Sequence, residues 1–137
     1  MKSYSILKPV HVSHLEDQRG TLDVAELTFE EQFETKRIYC ISGVPENQSR
    51  GAHAHKTLKQ IFFAVAGSLE LTVTDGSTYE TVELVAHKVG FYLPAGYWRN
   101  LRNFSKDAVC LVLASDYFSE ADYIRSYDEY LRWRTSE

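Results

Sequence analysis

The stretch Arg50-Gly51-Ala52-His53-Ala54-His55, with Gln60 and Gly67 just beyond it, decides the fold reading. Residues two apart on a β-strand project from the same face. His53 and His55 therefore share a face, and in a barrel that face is the interior. Two imidazoles inside a small barrel are not simple core filling, because each ring needs polar partners once it leaves water. A lone histidine would read as a satisfied structural residue. A pair at this spacing reads as acid–base machinery.

Working outward, the dominant hydrophobic period is two, the signature of strands. Residues 21–27 alternate, with Leu22, Val24 and Glu26 on one side. Residues 36–42 place Arg37, Tyr39 and Ile41 on one face and Ile38 and Cys40 on the other. Residues 60–66 are apolar almost throughout, and Gly67-Ser68 turns the chain into Leu69, Leu71 and Val73. Asp75-Gly76 is a strong hairpin signal, followed by further strand-like runs at 78–85, 88–93 and 108–114. Short strands at close spacing, with turn residues between, indicate a barrel or sandwich. Only the tail departs from this pattern. Ser119 and Asp122 read as the opening of a capping box. Ala121, Ile124, Tyr127 and Leu131 recur near the helical period, so one amphipathic helix is expected outside the barrel.

The chain has 137 residues, the size of one domain, and one domain over 1–137 is expected. An apolar share of 44% with 25% charged residues is the balance of a soluble globular protein. A net charge of −4 without a Lys/Arg-rich run argues against nucleic-acid binding. No stretch approaches the ~20 apolar residues of a membrane span, and residues 1–15 lack a signal-peptide core. A cytoplasmic location is therefore expected. Cys40 and Cys110 sit in apolar runs without a CxxC spacing and read as buried free thiols.

The His53-Ala54-His55 pair, with Gly90, Pro94, Gly96 and Asn103 downstream, resembles the two motifs of the cupin superfamily. A metal-binding cupin would carry an acid in the first motif and a third histidine in the second. Here Gln60 and Arg99 stand at those positions. Arginine is permanently cationic and cannot ligate a metal. Neither a metal nor another cofactor is expected, and a histidine freed from a metal suits a general base.

More specifically, the chain is similar to the nucleotide-sugar 3,4-ketoisomerases, cupins that act on dTDP-4-keto-6-deoxyglucose. The resemblance rests on Lys36-Arg37-Ile38-Tyr39, on residues 50–56, on Gly90-Phe91-Tyr92, on Trp98, and on residues 113–117 and 121–128. Gln18-Arg19-Gly20 matches an early arginine–glycine turn.

The resemblance implies an all-β cupin, a jelly-roll barrel of about eight to ten strands with a short C-terminal helix. It implies an isomerase that moves a carbonyl from carbon 4 to carbon 3 of a dTDP-linked keto-deoxysugar, for deoxyamino-sugar biosynthesis. His53 would be the base that takes the carbon 3 proton, and His55 would orient it or touch the sugar. Tyr39 would relay protons at the sugar oxygens, and Arg99 would stabilise the oxyanion. Arg19, Arg37 and Arg50 are candidates for the pyrophosphate. Tyr92 and Trp98 either contact substrate or fill the barrel. The Tyr39/Arg99 pair implies the D-ribo-hexos-3-ulose product. A homodimer exchanging N-terminal strands, within residues 2–13, is the implied assembly.

Two other readings stay open at this point. One is a sugar-nucleotide-binding cupin without turnover. The other is a 3,5-epimerase-type cupin, in which a histidine base partners an aspartate.

Overall fold

The structure is a computed structural model and describes residues 3–28 and 33–136. Two five-stranded antiparallel sheets face each other. The first runs in the order β1 (Lys8–Val10), β9 (Gly90–Leu93), β6 (Gln60–Ala66), β11 (Val109–Ala114), β4 (Arg37–Ser42). The second runs β12 (Tyr123–Ile124), β5 (Arg50–His55), β10 (Trp98–Arg102), β7 (Ser68–Thr74), β8 (Tyr79–Val85). A separate hairpin, β2 (Val12–Asp17) with β3 (Gly20–Ala25), pairs only with itself. This is the all-β jelly roll expected, with two more strand segments than the upper count because β1 and β12 are short.

Alternation builds the core. Cys110, Val112 and Ala114 of β11 and Leu69, Leu71 and Val73 of β7 turn inward and are buried, with Phe62, Leu84 and Leu101 beside them. Each buried leucine here is worth about 2–5 kcal/mol against truncation to alanine. Asp75 closes the β7–β8 turn, its Oδ1 accepting from the amides of Ser77 (2.9 Å) and Thr78 (2.7 Å). Gly76 supplies the left-handed backbone that this turn demands, φ +102°.

Two expectations change. The tail does not become helical at residue 119. Glu120–Asp122 is a single 3-10 turn, β12 then pairs with β5, and the helix α1 spans Tyr127–Ser136. The reason is local. The carbonyl of Asp122 accepts from the Lys56 amide (3.0 Å), and its carboxylate is engaged by the 55–58 segment, so this stretch is held extended. Of the cysteines, only Cys110 is buried; Cys40 lies on the open outer face of β4. Helix α1 packs by Tyr130, which is fully buried, its hydroxyl reaching the carbonyls of Gly96 (2.8 Å) and Thr74 (3.1 Å).

Candidate active site

The second sheet positions His53 and His55 on β5 and Arg99 on β10, where Arg99 and His53 are direct register partners. The facing sheet contributes Tyr39 from β4 and Gln60 from β6. All five point into one end of the barrel, and a hydrogen-bond network joins them in two groups.

Arg99 is 2% exposed, and among the described residues no carboxylate pairs with it. Its Nε donates to Gln60 Oε1 (2.8 Å), one Nη to the Gly51 carbonyl (3.2 Å) and the other to the Tyr39 hydroxyl (3.1 Å). The guanidinium also lies over the Phe62 ring at 5.2 Å. Gly51 makes room for it. The backbone there is left-handed (φ +72°), the β5–β10 register slips between Arg99 and Leu101, and a Cβ would collide with the guanidinium. A buried guanidinium held only by neutral acceptors has an unmet preference for an anion.

Tyr39 Oη accepts from Gln60 Nε2 (2.8 Å) and from Arg99. With both lone pairs used, its own O–H remains available to donate. Burial pushes the phenol above its usual range, against the Arg99 charge and the Gln60 hydrogen bond, so it stays protonated at neutral pH.

The histidines form a second relay. His55 Nδ1 lies 3.0 Å from Asp122 Oδ2, and His55 Nε2 lies 3.1 Å from His53 Nε2. Burial and the Arg99 charge lower both imidazoles, His53 to about 2 and His55 to about 4, the Asp122 hydrogen bond opposing the shift in His55. Both are therefore neutral at physiological pH. Burial raises the Asp122 carboxyl, but its hydrogen bonds from Thr57 and His55 outweigh that, and it stays ionised.

These states fix the tautomers. A carboxylate only accepts, so His55 carries its proton on Nδ1 and its Nε2 is bare. His53 must then donate from Nε2, which leaves His53 Nδ1 as the free basic nitrogen. Among the described residues, the only fully enclosed side-chain oxygen or nitrogen without a hydrogen bond is Asn100 Oδ1. His53 Nδ1, which has no such bond either, is thus not fully enclosed and can be reached from the open end of the barrel.

Asp122 is the residue that sequence reasoning misread. It is no helix cap: its Oδ1 accepts from the Thr57 amide (2.7 Å) and hydroxyl (2.8 Å), and its Oδ2 holds His55. Its only sequence signal was membership of the matching 121–128 stretch. Tyr123 was also missed in this role. Its ring lies 4.8 Å from His53 and 4.4 Å from His55, with Phe118 at 5.5 Å and the Arg125 guanidinium at 4.1 Å.

The remaining candidates divide. Arg37 lies over the rings of Tyr39 (5.5 Å) and Phe118 (5.8 Å), beside the pocket. Trp98 faces the other way from Arg99 and packs under α1 with Tyr127 (5.3 Å) and Tyr130 (5.9 Å). Tyr92 is buried with Val10 and Ile61 in a satellite apolar cluster. Arg50 is exposed ahead of the Gly51 bulge, with no hydrogen bond to the pocket. Arg19, at the hairpin tip, bonds Asp17. Within one chain these four are not brought to the histidines.

The donor set does not suit a divalent cation. The two imidazoles bond each other, Asp122 stands behind His55 rather than converging with it, and a permanent cation fills the second-motif position.

A jelly roll holding imidazole, phenol and guanidinium at one end defines a cupin built for proton transfer at an oxygenated carbon centre. The family described as "FdtA: WxcM-like, C-terminal" matches residues 6–135. A TDP-4-oxo-6-deoxy-alpha-D-glucose-3,4-oxoisomerase of Aneurinibacillus thermoaerophilus is 36% identical over 126 residues, 92% of this chain and 91% of that one. The TDP-quinovose 3,4-ketoisomerase of Campylobacter jejuni superposes with a TM-score of 0.83 at 41% identity, covering 94% of this chain and 99% of that one. A 3,4-ketoisomerase of Thermoanaerobacterium thermosaccharolyticum, solved as a mutant with TDP-4-keto-6-deoxyglucose, gives 0.88 at 30% identity over 98% of both chains. The chain belongs to the FdtA/WxcM-like family of TDP-sugar 3,4-ketoisomerases. It is an enzyme of the isomerase class.

Proposed function

We propose that the pocket converts TDP-4-keto-6-deoxyglucose to the 3-keto-6-deoxyhexose by proton transfer, and that His53 Nδ1 is the base. The observation that carries this reading is the pairing of an open, neutral imidazole with a buried guanidinium that no carboxylate among the described residues neutralises.

The sugar binds with its carbon 4 oxygen toward Arg99 and Tyr39. His53 Nδ1 takes the carbon 3 proton, and the electron pair moves through the new C3–C4 double bond onto the carbon 4 oxygen. Arg99 stabilises that oxyanion with donors already in place, and the Tyr39 O–H supplies its proton. The imidazolium formed on His53 keeps donating from Nε2 to His55, whose opposite nitrogen is anchored on Asp122. In the second half the carbon 3 hydroxyl yields its proton to Tyr39, the double bond collapses toward carbon 4, a solvent proton is delivered to carbon 4, and the His53 imidazolium returns its proton to solvent. Nothing is oxidised or reduced overall.

Exposed Phe118 and Arg125, with half-buried Tyr123 and Arg37, suit a base shelf and a pyrophosphate clamp. For the product, we favour the D-ribo-hexos-3-ulose, whose carbon 4 configuration is that of quinovose. The 41% identity to a TDP-quinovose enzyme supports this. A sugar-nucleotide substrate also favours the cytoplasm, and among the described residues no helix is long and apolar enough to cross a membrane.

A homodimer completes the reading. The outer face of the first sheet leaves Ile38 61% and Val65 50% exposed. Beside it runs an apolar groove of about 260 Å³ lined by Val12, Ala25, Phe63, Leu111 and Leu113. Hairpin β2–β3 projects Leu15 and Leu22, each more than half exposed. Next to the N-terminal strand β1, the hairpin is a further element suited to cross to a second copy, and it would carry Arg19 with it.

The test is His53→Asn. It keeps TDP binding by calorimetry and loses conversion of the keto-sugar by at least a hundredfold. Conversion at the wild-type rate would remove His53 as the base.

A further inference from the structure

Away from the pocket, His14 on β2, Asp23 on β3 and His87 in the turn between β8 and β9 converge. We propose that these three residues form a binding site for one divalent transition-metal ion of the zinc type, clasping the hairpin to the barrel.

The geometry is specific. His14 and Asp23 are direct register partners in the hairpin, so their separation is fixed by the backbone ladder. Each oxygen of Asp23 faces one imidazole, His14 Nδ1 at 2.6 Å and His87 Nδ1 at 2.7 Å. The two rings lie 4.6 Å apart at 48°. The three candidate donor atoms all fall within 4.8 Å of one another. The His87 backbone is left-handed (φ +71°), a conformation uncommon outside glycine, and it turns this ring toward the hairpin.

The chemistry fits a borderline cation. Two imidazole nitrogens and one carboxylate oxygen make three ligands of a tetrahedral zinc-type site, leaving the fourth position for water. Bonds of about 2.0–2.2 Å would place neighbouring donors roughly 3.4 Å apart, so the present contacts must open by about 0.7 Å. The side chains are 31%, 33% and 44% exposed, which leaves room for that shift and for entry from solvent.

A second observation points the same way. Ligating histidines usually donate their other ring N–H to a carboxylate, which fixes tautomer and orientation. Glu16 Oε2 lies 3.2 Å from His14 Nε2, on the far side of the ring from Asp23. With a metal on Nδ1, Glu16 already stands where that orienting partner belongs. No hydrogen bond joins this cluster to His53, His55, Asp122, Tyr39 or Arg99, so the ion's role is to tether the hairpin.

The test uses chelator-stripped full-length protein titrated with ZnCl2 by calorimetry, and with Co2+ followed by visible absorption. The site predicts one ion per chain and a tetrahedral Co2+ spectrum. His87→Gly, which suits the left-handed backbone and so folds, and Asp23→Asn each lower the affinity at least tenfold. Glu16→Gln lowers it by about tenfold. His53→Asn binds zinc as the wild type does. Absence of stoichiometric zinc binding by the wild type would overturn the proposal, as would unchanged affinity in both His87→Gly and Asp23→Asn.

Discussion

Replacing Asp122 by asparagine changes one oxygen to NH2 and nothing in shape, so its consequences follow from proton positions alone. The carboxylate accepts from the Thr57 amide and hydroxyl through Oδ1 and from His55 through Oδ2. If the new NH2 faces Thr57, it confronts the Thr57 amide N–H and that hydrogen bond is lost, while the hydroxyl can turn to accept. If it faces His55, that ring must shift its proton to Nε2. His55 then donates to His53 Nε2, the His53 proton moves to Nδ1, and the open base disappears. Either arrangement forfeits one or two hydrogen bonds to a charged acceptor, together about 2–3 kcal/mol, or roughly 6–12 °C in Tm for a domain of this size. The kinetic penalty is that of a wrong tautomer, about a hundredfold to ten-thousandfold in kcat. Stopped-time NMR of keto-sugar conversion reads the rate, and calorimetric binding of TDP confirms an intact site. A wild-type kcat in a variant that shows the drop in Tm would refute the relay and leave Asp122 a structural residue only.

Other outcomes follow from the same geometry. Arg99→Met removes an uncompensated buried cation, so kcat falls about a hundredfold or more while stability shifts by less than about 1 kcal/mol. A large loss on chemical denaturation would show instead that the guanidinium is a structural strut. Gly51→Ala places a methyl group against that guanidinium on left-handed backbone, and it should cost activity as well as roughly 1 kcal/mol of strain; full activity would mean Arg99 can move freely.

Acid should also report the buried histidines. Both pKa values are depressed in the fold, so unfolded chains take up protons below pH 6.5 while folded ones refuse them. The stability tied to neutral imidazoles is complete above pH 6.5 and falls as pH drops toward about 4 for His55 and about 2 for His53. Between pH 6.5 and 5 each contributes a loss of about 2 kcal/mol. Urea unfolding of wild type against His53→Asn measures that difference, and parallel curves would contradict it. For the same reason kcat/KM should stay flat down to about pH 5 rather than fall with a midpoint near 6.5. Light scattering should give a dimer that Ile38→Glu with Val65→Asp dissociates.

How much of this was legible beforehand depended on the distance over which each residue acts. His53 and His55 were readable because a period of two fixes their common face locally, and Gln60 and Arg99 because each stood in place of a metal ligand. Asp122 was not, since Ser119-x-x-Asp122 is the string of a helix start, and only tertiary contact with His55, 67 residues away, reassigns it. Trp98 is adjacent to Arg99, so alternation alone sends it to the opposite face, but the strand carrying both was not recognised. Arg50 lies beyond a bulge that shifts the register, a feature Gly51 hints at without fixing. Arg19 sits at the tip of the hairpin, bonded to Asp17 and away from the histidines of its own chain.

The most direct measurement of the central claim is conversion of TDP-4-keto-6-deoxyglucose by the purified protein in deuterated water, followed by proton NMR. The account predicts a 3-keto product carrying deuterium at carbon 4, and the same conversion run in H2O gives the large H4–H5 coupling of an equatorial carbon 4 hydroxyl. Exchange confined to carbon 5, or saturable binding with no exchange at carbon 3 or carbon 4, would contradict it.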